Sequence, residues 1–579
     1  MSFRFSSQPV NFSVVYLTLR RASFQAVLVF CVADFSLAGG GTKPAQSTSA
    51  SSNRSVEIDR DGFVGNEACA KCHAAIYKSY EQTPMAHASG PAMENLIPTD
   101  FTHAESGVRY RIHADGSHAW LEFDRGGKNP LHGKRELLYY IGSGRRGLTY
   151  LFADDGFVFE SPINWYGDRN VWDMTPAYQN DPEMPLNLPA LTSCLHCHVS
   201  GMRPPIEGSE NRYAMPLLTH SGISCERCHG PGETHTKGGS IVNPNKLPPD
   251  RRDAICMQCH MEGRVSVERA GKHVYDFRPG DSLSEYIRYY VLSDSSSRLG
   301  AVSQVEALAQ SKCKKVSGGK MSCTSCHDPH FFPSADERVA YFRGKCLACH
   351  GAEFAAKHHA EQPNCTSCHM PASSSKDVAH TEVTDHRIPR IASIFAALVP
   401  DEGSDKLRLV PFPESQEAEN DLRDFALAWE SLANEGIDAA RAKARELLRR
   451  SAGQFPDDAE TISALAYEEQ LQGNIGAAQK LYQGALSRDP NLIDVMTNLG
   501  VIKAQAGDFP EAINLLQGAF SRAPGRSSVG MDLARVLCTA GKREEALMSV
   551  KRVLEFNPDL DVARRYFGVV EGETSCEWK

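Results

Sequence analysis

The stretch from Ser221 to His235, S-G-I-S-C-E-R-C-H-G-P-G-E-T-H, indicates what kind of protein this chain is. It contains the motif C-x-x-C-H at Cys225, Cys228 and His229. In such a motif two thiols on one turn add to the vinyl groups of a porphyrin. The histidine that follows lies beneath the iron as its proximal ligand. The motif therefore predicts a covalently attached haem at this position.

The same motif occurs seven times between residues 69 and 369. At the Cys and His frequencies of this chain, roughly 0.02 copies would arise by chance, so the repetition is a signal. The predicted cofactor is haem c, seven groups in all. The predicted attachment cysteines are Cys69, Cys72, Cys194, Cys197, Cys225, Cys228, Cys256, Cys259, Cys323, Cys326, Cys346, Cys349, Cys365 and Cys368. The predicted proximal ligands are His73, His198, His229, His260, His327, His350 and His369.

Two other uses of paired cysteines are less well matched by this pattern. A structural zinc site also takes cysteine pairs, but nothing in a zinc ribbon requires a histidine after every second cysteine. A disulfide framework needs no histidine, and a chain of 579 residues is too long to depend on such cross-links.

Length and composition limit the class of protein. With 579 residues, the chain has room for roughly two to four domains. A net charge of −9 argues against nucleic acid as a partner. No run of 18 or more apolar residues occurs, so no transmembrane helix is predicted in the mature chain.

The N-terminus predicts export. Arg20 and Arg21 precede an apolar stretch at 26–38, and we interpret residues 1–38 as an export signal, although Asp34 interrupts the stretch. Lipid anchoring at Cys31 is disfavoured because Phe30 stands where a small residue is expected. A periplasmic or otherwise exported location is expected, since c-type haem is attached after export.

The chain then divides by composition. Residues 39–64 are predicted to be a flexible linker, 65–395 a heptahaem domain, and 396–420 a second linker. The heptahaem domain is expected to be mainly α-helical, with short helices and loops around the haems. Between the first two motifs, at about 105–165, β-branched and aromatic segments predict a small antiparallel β insert. Its predicted strands are 108–112, 119–123, 137–141, 148–152 and 157–161.

The C-terminal part contains an internal repeat. Pro456, Pro490, Pro524 and Pro558 are spaced by 34 residues. Small residues recur in the same frame where two helices would cross, which is the tetratricopeptide pattern. Residues 421–575 are therefore predicted to form an α-α solenoid that docks a protein partner on its concave face.

Three segments of the haem region carry a resemblance to a known group. They are C-E-R-C-H-G-P-G-E-T-H at 225–235, C-T-S-C-H-D-P-H at 323–330, and C-T-S-C-H-M-P at 365–371 followed by T-D-H-R-I at 384–388. They resemble the multihaem cytochromes grouped with cytochrome c-554, hydroxylamine oxidoreductase and cytochrome c nitrite reductase. The resemblance implies distal iron ligands at His235, His330 and His386. Further candidates are His87, His380 and the pair His358 and His359.

The function is left open between three hypotheses. An iron closed by two histidines passes electrons, whereas an open iron binds a small molecule. The first hypothesis is an exported carrier that relays electrons between redox partner proteins. The second is an oxidoreductase with one open haem acting on a small nitrogen or sulfur compound, and the third is an assembly scaffold. All seven motifs end in His, whereas the active haem of cytochrome c nitrite reductase uses a motif ending in Lys.

Overall fold

In this computed structural model the described residues are 62–127, 129–178, 181–293, 299–358, 361–375, 378–390, 407–413 and 421–572. The predicted export signal at 1–38 lies outside these residues, as does most of the two predicted linkers. Among the residues that the structure describes, no helix is both long and apolar enough to cross a membrane.

Short helices carry most of the haem motifs. The helices are α1 (Asn66–Tyr80), α2 (Thr192–Leu195), α3 (Glu226–His229), α4 (Glu233–Thr236), α5 (Pro249–His260), α6 (Gln304–Gln310), α7 (Lys312–Val316), α8 (Arg338–Lys357) and α9 (Thr366–His369). Helices α3, α5 and α9 end at the motif histidine. Helix α1 is kinked at His73, and α8 is broken at Gly351, directly after His350. The chain therefore leaves the helical path at or after each of these five motif histidines.

In the described part of the chain the strands form five antiparallel sheets. They are β1 (Ser89–Pro91), β2 (Thr99–Thr102), β3 (Arg109–Asp115), β4 (His118–Arg125), β5 (Leu131–Leu137), β6 (Tyr139–Ile141), β7 (Gly147–Asp154), β8 (Phe157–Glu160), β9 (Ile163–Tyr166), β10 (Val171–Met174), β11 (Gly201–Met202), β12 (Leu218–His220), β13 (Val265–Glu268), β14 (Ile287–Leu292), β15 (Ala372–Ser374), β16 (Glu382–Thr384) and β17 (Leu409–Phe412). The pairs β11–β12 and β15–β16 and the triple β13–β14–β17 are small sheets within the haem region.

The β insert is larger than the sequence predicts. Its ten strands form a four-stranded sheet of order β2-β3-β4-β5 and a six-stranded sheet of order β1-β6-β7-β9-β10, with β8 paired to β7. Alternate residues of β3 and β4 are buried, among them Tyr110, Ile112, Leu121 and Phe123. Strand β5, L-H-G-K-R-E-L, is mostly charged or small between its two end leucines, so its sequence lacks the apolar alternation that identifies a strand.

The C-terminal region is a run of antiparallel helices. They are α10 (Leu422–Asn434), α11 (Asp438–Gln454), α12 (Ala459–Leu471), α13 (Ile475–Arg488), α14 (Ile493–Gln505), α15 (Phe509–Arg522), α16 (Ser527–Thr539), α17 (Arg543–Phe556) and α18 (Asp561–Gly572). Helices α12, α14, α16 and α18 begin 34 residues apart, as the proline spacing predicts. The predicted mainly α-helical fold with small antiparallel sheets and a helical solenoid is confirmed.

Small residues explain how closely the paired helices pack. Gly500 on α14 faces Leu516 on α15, and a Cβ atom added there would lie 2.8 Å from the Leu516 side chain. The turns between paired helices contain Gly473, Gly507 and Gly541, with φ angles of 78°, 81° and 78°. These left-handed conformations favour glycine and end the first helix of each pair.

The repeat helices pack against the rest of the chain at both ends. Near the last repeat, Asp559 is buried and accepts hydrogen bonds from Arg125 Nη1 (2.7 Å) and the Met184 backbone N–H (2.9 Å). Phe556 packs on Phe159 of the β insert, with ring centroids 5.1 Å apart. Strand β17 lies within the predicted linker at 396–420 and pairs with β14, so part of this segment has regular structure.

Candidate haem-binding site

Cysteines of different motifs lie next to each other in the fold. Four pairs of thiols from different motifs lie close enough to shift the pKa of a partner, namely Cys69 with Cys225, Cys197 with Cys259, Cys256 with Cys323, and Cys346 with Cys365. These contacts join motif one to three, two to four, four to five, and six to seven. No disulfide links the fourteen motif cysteines, which are all free thiols.

Four motif histidines each face a second histidine ring. The pairs, with their centroid separations and interplanar angles, are His73–His235 (6.3 Å, 13°), His229–His330 (6.0 Å, 13°), His327–His386 (6.3 Å, 27°) and His369–His358 (5.9 Å, 33°). All four partners are among the distal candidates predicted from the sequence.

The separation of these rings matches two imidazoles on one metal ion. A metal–nitrogen bond of about 2.0 Å and a ring radius of about 1.1 Å on each side give a centroid separation of about 6.2 Å. Two rings that stack directly on each other need no space for an ion between them. The near-parallel planes of the first two pairs fit a ring on each side of an equatorial macrocycle.

Backbone carbonyls fix the tautomer of four of these rings. The Nδ1 atoms contact carbonyl oxygens, which only accept, so Nδ1 carries the hydrogen and Nε2 keeps its lone pair for a metal. The contacts are His229 to Val242 O (2.9 Å), His235 to Gly239 O (3.0 Å), His369 to Pro389 O (3.0 Å) and His386 to Thr384 O (2.9 Å).

Burial keeps several of the rings neutral. It is the main cause that lowers the pKa of His229 and His386, and it lowers the pKa of His327 to about 4. A neutral imidazole is the form that ligates a metal, so these rings are in the binding form at neutral pH.

The partner ring comes from a later part of the chain in the first three pairs. His235 follows the third motif but faces His73 of the first, and His330 follows the fifth motif but faces His229 of the third. His386 follows the seventh motif and faces His327 of the fifth. In each of these three pairs, the second histidine follows a motif that comes two places later than the motif of the first histidine. Proximity along the sequence does not indicate this pairing.

Three motif histidines have a different environment. His198, His260 and His350 face no second histidine ring among the residues that the structure describes. His198 is removed from solvent, and this desolvation lowers its pKa. His350 instead contacts the Phe354 ring at a centroid distance of 5.2 Å.

The remaining distal candidates do not meet a motif histidine. His87 Nε2 contacts the Glu81 carbonyl oxygen at 2.7 Å, and His380 Nε2 contacts Asp173 Oδ2 at 2.6 Å. The ring of His380 lies edge-on to Tyr166. His359 lies outside the described residues. The ligand roles of His87 and His380 stay predictions.

A cavity of about 4570 Å³ connects most of the motifs. Its wall includes His198, His260, His327, His350 and His369. Sites for a single small molecule measure roughly 300–1,000 Å³, so this cavity has space for several large groups. The described residues contain no group of three or more His, Cys, Asp or Glu side chains arranged around a metal ion. The ring pairs therefore fit a haem iron, whose remaining ligands come from the macrocycle, better than a zinc site.

Sequence reasoning overlooked one polar side chain at the cavity wall. Arg227, inside the third motif, is 2 % exposed, and its Nε and Nη1 atoms have no hydrogen-bond partner in the structure. Its position between Cys225 and Cys228 is not by itself a signal of burial, since Lys71 at the same position of the first motif is exposed.

Paired histidine rings beside C-x-x-C-H motifs are features of multihaem c-type cytochromes, and the C-terminal run of paired helices is a feature of tetratricopeptide arrays. Comparison with known families agrees. Residues 173–230, which include the second and third motifs, match the family described as cytochrome c554 and c-prime. Residues 503–565 match a tetratricopeptide repeat family. Both matches together imply covalently bound c-type haem and a repeat domain of the kind that binds proteins.

Among curated proteins, the chain is similar to multiheme cytochrome MtrA of Shewanella baltica (strain OS185), with 24% identity over 175 residues. The aligned part covers 27% of this chain and 52% of that protein, so the chain spans about half the length of this relative.

Solved structures with similarity include MamA of AMB-1 and the tetratricopeptide protein YrrB. The match to the MamA structure has 20% sequence identity, covers 27% of this chain and 82% of the MamA chain, and has a TM-score of 0.24. The match to the YrrB structure has 17% sequence identity, covers 27% of this chain and 78% of the YrrB chain, and has a TM-score of 0.24.

Proposed function

We propose that this protein is an exported heptahaem cytochrome that relays electrons between redox partners. The single observation that carries the proposal is the set of four facing histidine pairs. Two imidazoles on one iron leave no open position, so such an iron changes oxidation state without binding a substrate. Each motif supplies its own two cysteines and proximal histidine as the covalent and axial attachment of one haem.

The contacts between motifs support a continuous route for electrons. Motif one touches three, four touches five, and six touches seven through their cysteines. Cys228 of motif three lies close to Cys259 of motif four. Burial is the main cause that raises the pKa of Cys228 to about 11, and Cys259 is the next cause. Cys326 of motif five is similarly close to Cys349 of motif six. The proposed order is therefore one, three, four, five, six and seven, with motif two beside four.

The repeat region is proposed to bring a protein partner to this route. Leu427 and Glu430 of α10 and Ala464 of α12 lie on the cavity wall, so the first-helix side of the array borders the haem motifs. A partner held on the concave face near these helices would lie beside the haem chain. We also propose that residues 65–395 form a haem domain and that residues 421–575 form a repeat domain.

A second candidate function is an oxidoreductase with one open haem. It is favoured by His198 and His260, which lie at the cavity and face no second histidine among the described residues. A small nitrogen or sulfur compound entering the cavity would then bind the open side of one of these irons. This candidate requires one high-spin haem in the native protein.

The test is an equilibrium redox titration of the exported, haem-loaded chain, monitored by absorbance, before and after carbon monoxide. The relay proposal expects reversible reduction of all haems and at least four that do not bind carbon monoxide. Carbon monoxide binding to most of the haems would contradict it. Binding to a single haem, together with turnover of nitrite or hydroxylamine, would favour the second candidate.

A further inference from the structure

Arg227 is a buried cation for which the described part of the chain provides no anion. The residue is 2 % exposed. Its Nη2 atom lies 2.9 Å from His196 Nε2 and 3.3 Å from the His196 carbonyl oxygen. Its Nε and Nη1 atoms have no acceptor, and the side chain forms no ion pair among the described residues. The Nε and Nη1 groups of the guanidinium therefore have no oxygen acceptor, and the Cys259 thiol is a neighbour of this side chain.

The nearest acidic residue is already committed elsewhere. Glu226 is 1 % exposed, and its carboxylate accepts backbone N–H groups of Val64 (2.7 Å), Gly65 (3.0 Å) and Gly232 (2.9 Å). These contacts point the Glu226 carboxylate at the backbone of the segment before α1. It therefore provides no charge that compensates Arg227.

The side chains around Arg227 are attachment cysteines rather than anions. Besides His196, the titratable side chains that act on Arg227 are Cys197, Cys228 and Cys259, from motifs two, three and four. Once these sulfurs form thioethers with haem they carry no charge. A buried guanidinium with unmade hydrogen bonds costs several kcal/mol, so a site like this is stable only when an anionic oxygen occupies it.

We propose that Arg227 binds an anionic oxygen group inside the cavity, and that this group sets the reduction potential of a neighbouring haem. Two sources have the required chemistry, a haem propionate carboxylate and a free small oxyanion. The guanidinium offers its free Nε–H and Nη1–H donors to the oxygen atoms, as arginine does with carboxylates. The inference rests on the proposed haem loading.

The experiment compares the native chain with Arg227→Gln, Arg227→Lys and the control Arg111→Gln, all loaded with haem. Arg111 is about half exposed on β3 and pairs with Glu122, so its charge lies at the surface. Intact mass first establishes that each variant carries the same number of haems as the native chain. Redox titrations at several pH values, with and without added nitrite, then report the haem potentials.

The expected result is a lower potential of at least one haem in Arg227→Gln, because an uncompensated anion stabilises the oxidised iron. Arg227→Lys keeps the charge but loses the planar donors, so its shift has the same sign and is smaller. If nitrite leaves the native potentials unchanged, the anion is a propionate. If nitrite causes a saturable shift in the native chain that is absent in Arg227→Gln, the anion is a free oxyanion.

Potentials equal to those of the native chain in Arg227→Gln, with no effect of nitrite on either, would overturn the inference. If Arg227→Gln fails to attach its haems, Arg227→Lys carries the test, and potentials identical to the native ones overturn it. If the relay proposal itself is wrong, the native chain will already lack haems or will bind an added ligand at most of them.

Discussion

Replacing His235 by alanine tests the first histidine pair directly. The His235 ring stands 6.3 Å from the ring of His73, the separation expected for two ligands of one iron. Removing it leaves that iron with a single protein ligand, while the other three pairs are untouched. The expected result is one more high-spin haem per chain than in the native protein, seen in the EPR spectrum of the oxidised protein, out of the seven haems predicted from the motifs.

The size of this effect follows from the surroundings of His235. The side chain is exposed at the end of the short helix α4, so water and added carbon monoxide have access to the vacated position. Carbon monoxide should therefore bind one additional haem compared with the native chain. Loss of a histidine ligand changes a haem potential, since axial ligands set it over a range of about 0.8 V.

His118→Ala is the matched control. His118 is an exposed histidine on β4 whose Nδ1 lies 2.5 Å from Glu136, and its loss should leave the number of high-spin haems equal to that of the native chain. An unchanged EPR spectrum in the His235 variant would refute the assignment of this pair. A high-spin signal in both variants would show a general disturbance instead.

Three further predictions concern stability, each measured by thermal or urea unfolding of the full chain. Asp559→Ala should destabilise the protein by about 3–5 kcal/mol, because it leaves the Arg125 guanidinium at the junction without its carboxylate, whereas Arg565→Gln at the surface should have little effect. Gly500→Val should cost about 1–3 kcal/mol by overpacking against Leu516, and Gly484→Ala, where the nearest atom is 3.6 Å away, should not. Burial raises the pKa of Glu430 from 4.5 to about 8, so ionisation of this side chain is disfavoured in the folded state. The protein should therefore lose stability as the pH rises from about 4.5 to 8, and Glu430→Gln should reduce this loss. A pH profile of stability in Glu430→Gln that runs parallel to the native one would contradict the reasoning.

The local features of this chain are readable from its sequence. The motif at 225–229 identifies its chemistry because the two cysteines and the histidine act within one turn. The repeat is equally local, since helices α12, α14, α16 and α18 begin 34 residues apart and Gly500 on α14 meets Leu516 on the next helix, α15. In both cases the residues that interact are close together along the chain.

The pairing of histidines is not readable in the same way. His235 lies six residues after His229, yet its ring faces His73, which is far away along the chain. The resemblance to known cytochromes implied a ligand role for His235 but did not assign its iron. Likewise, Arg227 reads as an ordinary charged residue until the structure shows that it is buried and that two of its nitrogen atoms have no hydrogen-bond partner among the described residues.

The β insert was only partly predicted for a related reason. Apolar alternation identifies β3 and β4, whose buried residues form the insert core. It does not identify β5, whose strand conformation is imposed by pairing along the whole of β4, nor β17, which pairs with β14 across a long separation in sequence. Pairing partners of this kind are set by tertiary structure.

The most direct test of the account is the intact mass of the mature, exported protein. The expected mass is that of the polypeptide plus seven haems, which stay bound through a denaturing separation because thioether bonds attach them. A mass equal to the polypeptide alone, or to the polypeptide with zinc ions lost on acidification, would contradict it.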